Sequence, residues 1–121
     1  LTGTVVKGKS IGKTIGYPTA NLAIEEHYKL IPAQGVYIVQ SEINGNTVYG
    51  MMNIGTNPTV GGYDQTVETY FFDFSADLYG QRLEIEVIKR IREEKHFDSV
   101  EKLVVAMKKD EAFSRTYIET L

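Results

Sequence analysis

The sequence predicts a mainly β domain, an antiparallel barrel closed by one C-terminal helix. Short β-branched runs recur between Gly, Asn and Pro turns, Asn44-Gly45 is a strong hairpin signal, and helical apolar spacing occurs only near the end. Thr2–Lys7, with β-branched Thr2, Thr4, Val5 and Val6, is the first strand and feeds a glycine-rich loop. Leu22-Ala23-Ile24 follows, then a polar loop over Glu25–Lys29. Gly35–Ser41 and Thr47–Asn53 are expected to pair across the Asn44-Gly45 turn.

Gly55–Gly62 is rich in turn residues and reads as a loop. Val67–Phe74 is the next strand and Tyr79-Gly80 a turn. Leu83–Ile91 is one further strand, with Leu83, Ile85, Val87 and Ile91 on a single face. Asp98 with Glu101 has the pattern of an N-cap and capping box. Val100, Leu103, Val104 and Met107 then continue at helical spacing to about Tyr117. Strands joined by hairpins and then a lone helix imply the barrel.

At 121 residues the chain is one domain with room for one core. A net charge of -3 argues against nucleic acid as a partner, because a single-stranded-nucleic-acid barrel needs a basic groove interleaved with aromatics. The absence of cysteine removes disulfides and thiolate metal sites and fits a cytoplasmic location. No apolar run reaches the length of a membrane span, and no membrane partner is expected. Leu1 is not a methionine and stands almost directly before a strand, so the chain is expected to be a piece of a longer protein.

The segment Gly8-Lys9-Ser10-Ile11-Gly12-Lys13-Thr14-Ile15-Gly16-Tyr17-Pro18-Thr19-Ala20-Asn21 carries the strongest chemical signal. Glycines such as Gly8 and Gly16 let a backbone approach an anion, and Lys13 supplies charge. Thr19 and Asn21 offer hard oxygens of the kind Mg²⁺ accepts, two residues apart and therefore on one side of an extended segment. A turn with local hydrogen bonds explains the same two residues, and spacing alone favours it. The loop is not a Walker A motif: Gly8 and Gly12 are separated by three residues, and Gly16 and Pro18 oppose the helix that must follow.

Glu68 is the candidate catalytic residue. In an extended Val67–Phe74 it shares a face with Tyr70, Phe72 and Phe74, whereas Thr69, Phe71 and Asp73 face the other way. A carboxylate among aromatic rings is partly desolvated and can serve as a proton acceptor; at a solvent-exposed strand end it would do nothing. His27 and His96 have no partner pattern for a metal or a triad and read as surface residues. Arg92-Glu93-Glu94-Lys95-His96-Phe97 reads either as a solvated loop or as a lid presenting Arg92, Lys95 and Phe97 to a ligand.

In order, Gly3-Thr4-Val5-Val6-Lys7-Gly8, Gly16-Tyr17-Pro18-Thr19-Ala20-Asn21, Gly35-Val36-Tyr37, Asn53-Ile54-Gly55-Thr56-Asn57-Pro58-Thr59, Val67-Glu68-Thr69, Leu78-Tyr79-Gly80 and the run from Ile91 to Ser99 resemble the riboflavin kinase family. The resemblance covers nearly the whole chain and is nearest to the kinase module of bacterial bifunctional FAD synthetases. It implies a six-stranded Greek-key barrel with a C-terminal helix, and phosphorylation of the riboflavin 5′-hydroxyl by ATP to give FMN and ADP. By position it makes Glu68 the base, and Thr19 and Asn21 the ligands of Mg²⁺ (or of Mn²⁺ or Zn²⁺) and phosphate. Gly8, Lys13 and Gly16 fall in the ATP loop, Tyr79 at the nucleotide pocket, and Arg92, Lys95 and Phe97 at the flavin. An FMN adenylyltransferase domain is expected to precede residues 1–121 in the full-length protein. Two positions depart from the common pattern: Lys13 stands where many relatives carry Arg, and Tyr70 where many carry His. The alternative function is a flavin-binding barrel without kinase activity.

Overall fold

The computed structural model describes residues 1–7, 16–59 and 62–121. Among these residues seven antiparallel strands form one sheet: β1 (Thr2–Val6), β2 (Ala20–Ile24), β3 (Gly35–Ile43), β4 (Asn46–Thr59), β5 (Gly62–Phe71), β6 (Arg82–Glu84) and β7 (Glu86–Arg92). Their order in the sheet is β6-β1-β2-β5-β4-β3-β7. The strands at the two ends of that order are consecutive in the chain, with only Ile85 between them. The sheet therefore curls. Among the described residues one α-helix, α1 (Val100–Ile118), follows. Among the described residues no helix is long and apolar enough to cross a membrane.

The strand count is seven rather than six because the expected Leu83–Ile91 strand changes neighbours midway. Residues 82–84 pair with β1 and residues 86–92 with β3. At the changeover Ile85 turns to the chain start: its N–H donates to Leu1 O at 2.6 Å, and its carbonyl accepts from the Leu1 amino group at 2.8 Å. Strands that turn a corner break their ladder in this way. Register shifts against β3 then disrupt the alternation beyond Ile85. Leu83 and Ile85 are buried but Val87 is exposed, so the single apolar face expected over this stretch does not form.

The Asn44-Gly45 hairpin is present, with both residues at positive φ (53° and 81°), as a type I′ turn requires. The expected Gly55–Gly62 loop is instead strand. β4 runs on to Thr59 and β5 begins at Gly62, in unbroken register from Gly50↔Phe71 to Thr59↔Gly62. The turn residues there are carried as long as the backbone ladder continues. β5 stops at Phe71, short of the expected Phe74, and Asp73 adopts a left-handed φ of 55°. Phe74 consequently packs against the inner core rather than beside Glu68. The N-cap is Ser99, one residue past the expected Asp98: its extended backbone (φ -147°, ψ 154°) lets the hydroxyl accept the Lys102 N–H. Asp98 pairs with Lys102 Nζ at 2.9 Å instead.

Alternation along the strands divides the apolar residues between two clusters. Leu22, Tyr37, Met52, Ile54, Val67 and Phe71 fill the concave interior. Tyr17, Val36, Met51 and Phe72 are buried on the outer face, with Tyr70, Met107 and Ile118 packed against them. Helix α1 covers that outer face.

Candidate functional site

The site is built on the outer face of the sheet, beneath the first half of α1. Glu68 on β5 stands directly opposite Asn21 on β2 and Asn53 on β4. Residues opposed across antiparallel strands share a face, so the three form one polar row. A cavity of about 580 Å³ lies over this face. Its floor includes Thr19, Thr66, Glu68, Tyr70, Asn53, Met51 and Val36. Its roof is formed by Val100, Leu103 and Met107 of α1 and by residues 94–99.

Across β2, β5, β4 and β3 the floor passes from Thr19 through Glu68 to Met51 and Val36, from polar to apolar. Such a cavity suits a ligand with one hydroxylated or charged end and one flat apolar end. Glu68 is half-buried. Burial raises the pKa of its strand neighbour Tyr70, so that phenol stays neutral through ordinary pH.

Of the residues expected to act, Thr19, Glu68, Arg92, Lys95 and Phe97 all line this one cavity. Asn21 joins them through its register with Glu68. Arg92 is held by its own chain. It grips Asp110 with Nε at 3.0 and 3.1 Å and Nη2 at 2.8 Å, donates to Glu93 O at 2.9 Å, and lies 5.8 Å from the Phe97 ring centre. Tyr79 does not line the cavity. It is exposed at its turn, where its N–H donates to Asp77 Oδ1 at 2.9 Å and Lys7 Nζ lies 5.6 Å from its ring centre. Gly16 has a φ of 88°, a conformation that favours glycine. Gly8 and Lys13 lie outside the described residues.

The residues after that segment are anchored from the far end of the chain. Tyr17 is buried, donates to Glu111 Oε1 at 3.0 Å and meets Tyr70 edge-to-face at 5.1 Å. Burial first, and then the bond to Glu111, pushes its phenol up to about 12. Arg115 donates to Glu111 at 2.8 Å and to Asp73 at 2.9 Å, and holds the Asp73 carboxyl below the usual carboxylate range.

Sequence reasoning missed Asn53, Tyr17 and Asp110 as members of this neighbourhood. Only the β4–β5 register could have exposed Asn53, and the turn residues of Gly55–Gly62 concealed it.

No group of three or more His, Cys, Asp or Glu side chains is poised to hold a metal among the described residues. At the β2 end of the floor the donors are the Glu68 carboxylate and the neutral oxygens of Thr19 and Asn21. That set fits Mg²⁺ brought in on phosphate groups better than a metal caged by protein alone.

The chain is thus a mainly β domain: a curled antiparallel sheet with a helix over its outer face and a cavity between them, polar at one end and apolar at the other. The riboflavin kinase (Flavokinase) family matches residues 1–118, and the chain belongs to that family. It is 44% identical over 111 residues to the RNA-binding riboflavin kinase RibR of Bacillus subtilis (strain 168), covering 91% of this chain and 47% of RibR. It is 42% identical over 121 residues to the bifunctional riboflavin kinase/FMN adenylyltransferase of Listeria monocytogenes, covering 98% of this chain and 38% of that protein. The chain thus spans less than half the length of these curated relatives. Among solved structures, riboflavin kinase from Trypanosoma brucei matches with a TM-score of 0.65 at 26% identity, covering 98% of this chain and 78% of that one. A Streptococcus pneumoniae structure described as a macrolide-efflux protein matches with a TM-score of 0.86 at 42% identity, covering 94% of this chain and 37% of that one.

Proposed function

We propose that the chain transfers the γ-phosphoryl group of ATP to the ribityl 5′-hydroxyl of riboflavin, giving FMN and ADP. The observation that carries this reading is the placement of Glu68 between Asn21 and Asn53 in a cavity also lined by Thr19, Lys95 and Phe97. Family membership supplies the reaction class.

Phosphoryl transfer demands in-line placement, neutralisation of the charge on the γ-phosphate oxygens and an acceptor for the nucleophile's proton. Glu68 orients the 5′-hydroxyl and takes its proton as the new O–P bond forms and ADP departs. Thr19 and Asn21, at the β2 edge of the cavity, hold the phosphate end. They would also hold a divalent ion (Mg²⁺, or Mn²⁺ or Zn²⁺), which supplies charge neutralisation at the phosphate oxygens. Gly8, Lys13 and Gly16 approach the phosphates, and Tyr79 borders the nucleotide. Arg92, Lys95 and Phe97 border the flavin, whose flat ring finds Val36, Met51, Leu103 and Met107. The roof of α1 and residues 94–99 excludes water that would otherwise hydrolyse ATP.

The reading extends to a closed Greek-key barrel, a cytoplasmic location, and an FMN adenylyltransferase domain preceding this module in the full-length protein. Incubation with ATP, Mg²⁺ and riboflavin, followed by chromatographic separation of flavins, tests the activity. FMN formed in step with ADP supports it; bound riboflavin with no FMN would overturn it.

A further inference from the structure

Asn53 Oδ1 is buried without a hydrogen-bond partner. An unpaired buried acceptor is costly, and native structures keep few of them. Among the described residues one other side-chain atom shares this condition, Thr69 Oγ1, and Thr69 is fully buried on the opposite face of β5. Asn53 instead lines the cavity, opposite Glu68. An acceptor placed there calls for a donor that comes with the ligand.

Its position in the sheet narrows the donor. Asn53 and Asn21 flank Glu68 on opposite sides, so their backbones lie two strand spacings apart, roughly 10 Å. Mg²⁺ bonds of about 2.1 Å suit Thr19 and Asn21, which belong to one strand and its lead-in, and do not suit a pair so widely separated. Phosphate oxygens bring no donor at neutral pH. On its own side Asn53 neighbours Met51 along β4 and Val36 across β3, the apolar end of the cavity. Asn53 thus stands at the boundary between the ring-binding end and the carboxylate.

Resting on the riboflavin reading above, we infer that Asn53 accepts a hydrogen bond from a hydroxyl of the substrate's polyol chain. It is a positioning residue that seats this chain so that its terminal alcohol meets Glu68. The role costs the ligand-free fold stability, since the acceptor is satisfied only when substrate is bound.

Two flavins separate this role from its rivals: riboflavin, and lumiflavin, which has the same ring and no hydroxylated chain. Binding is followed by flavin fluorescence in wild type, Asn53→Ala and Asn53→Leu, with thermal unfolding of each ligand-free protein. Asn53→Leu fills the volume of the amide with apolar atoms, which guards against collapse of the alanine variant. The expected result is about a tenfold loss of riboflavin affinity in both variants, with lumiflavin unchanged within about twofold. The melting temperature of Asn53→Leu should equal or exceed that of wild type. Equal losses for both flavins would assign Asn53 to the ring or to the fold and overturn the inference, as would unchanged riboflavin binding. So would a lowered melting temperature accompanied by equal losses. Turnover is not needed: wild type that binds riboflavin without forming FMN would overturn the kinase reading and leave this test standing, whereas no flavin binding would overturn both.

Discussion

The Tyr17 hydroxyl donates a 3.0 Å hydrogen bond to Glu111, joining residues 94 positions apart. The bond ties the residues just before Thr19 to the second half of α1. Tyr17 also packs against Tyr70, two residues from Glu68 on the same face of β5. The Thr19 side and the Glu68 side of the cavity are therefore braced by the same helix.

Tyr17→Phe keeps the ring and removes the bond. About 1 kcal/mol of stability should be lost at neutral pH. A larger effect is expected on the apparent KM for ATP than on that for riboflavin, because Thr19 follows Tyr17 by two residues. Steady-state kinetics with each substrate varied in turn would show it; a shift confined to riboflavin would contradict the brace.

The same phenol sets an alkaline limit. Its pKa of about 12 in the folded chain lies above the ordinary 10.0. As the pH rises past 10 the unfolded chain releases this proton before the folded one does. The stabilisation is therefore complete below about pH 10 and is lost between about pH 10 and 12. Urea unfolding at about pH 9 and about pH 11 should show wild type losing more stability than Tyr17→Phe, with Tyr70 a background common to both.

Asp110 is buried, and its carboxylate is gripped by Arg92. Asp110→Ala leaves that guanidinium without its partner beneath the helix. A loss of about 2–3 kcal/mol is expected, below the value for a wholly buried pair because the Arg92 side chain is 23% exposed. Denaturant titration measures it. A loss under about 0.5 kcal/mol would show that the link between β7 and α1 matters little.

Two glycines of β4 should respond differently to alanine. At Gly50 an added Cβ would lie 2.5 Å from the Tyr70 carbonyl oxygen, which belongs to the neighbouring strand and cannot swing away. Gly50→Ala should cost about 2–3 kcal/mol. At Gly55 the added Cβ meets the carboxylate of Glu94, the free end of a side chain in the cavity roof. Gly55→Ala should fold with a cost below about 1 kcal/mol. It should raise the riboflavin KM severalfold by displacing Glu94, leaving the ATP KM unchanged. Comparable stability losses in the two variants would refute the distinction.

What was legible in the sequence was local. The Asn44-Gly45 turn declares its backbone conformation, β-branched runs declare strands, and the spacing of Val67-Glu68-Thr69 puts Glu68 opposite in sense to the core residues. Long-range pairings carried no such signal. Pro58 and its neighbours have turn chemistry, yet the continuing ladder with β5 makes them strand. Ile85 looks like any strand residue until Leu1 comes to meet it. Asp98 and Ser99 are both good caps, and only the backbone dihedrals chose Ser99. The same limit hid Asn53, Asp110 and Glu111, whose significance lies in partners from other elements.

The proposed role of Glu68, accepting the proton of the alcohol being phosphorylated, has a direct test. Glu68→Gln keeps the shape of the side chain and removes its basicity, so FMN formation from riboflavin, ATP and Mg²⁺ by this variant is the most direct measurement. A fall in kcat of about 10²–10⁴-fold is expected, with ATP binding within about twofold of wild type. A glutamine variant that makes FMN at the wild-type rate would contradict it.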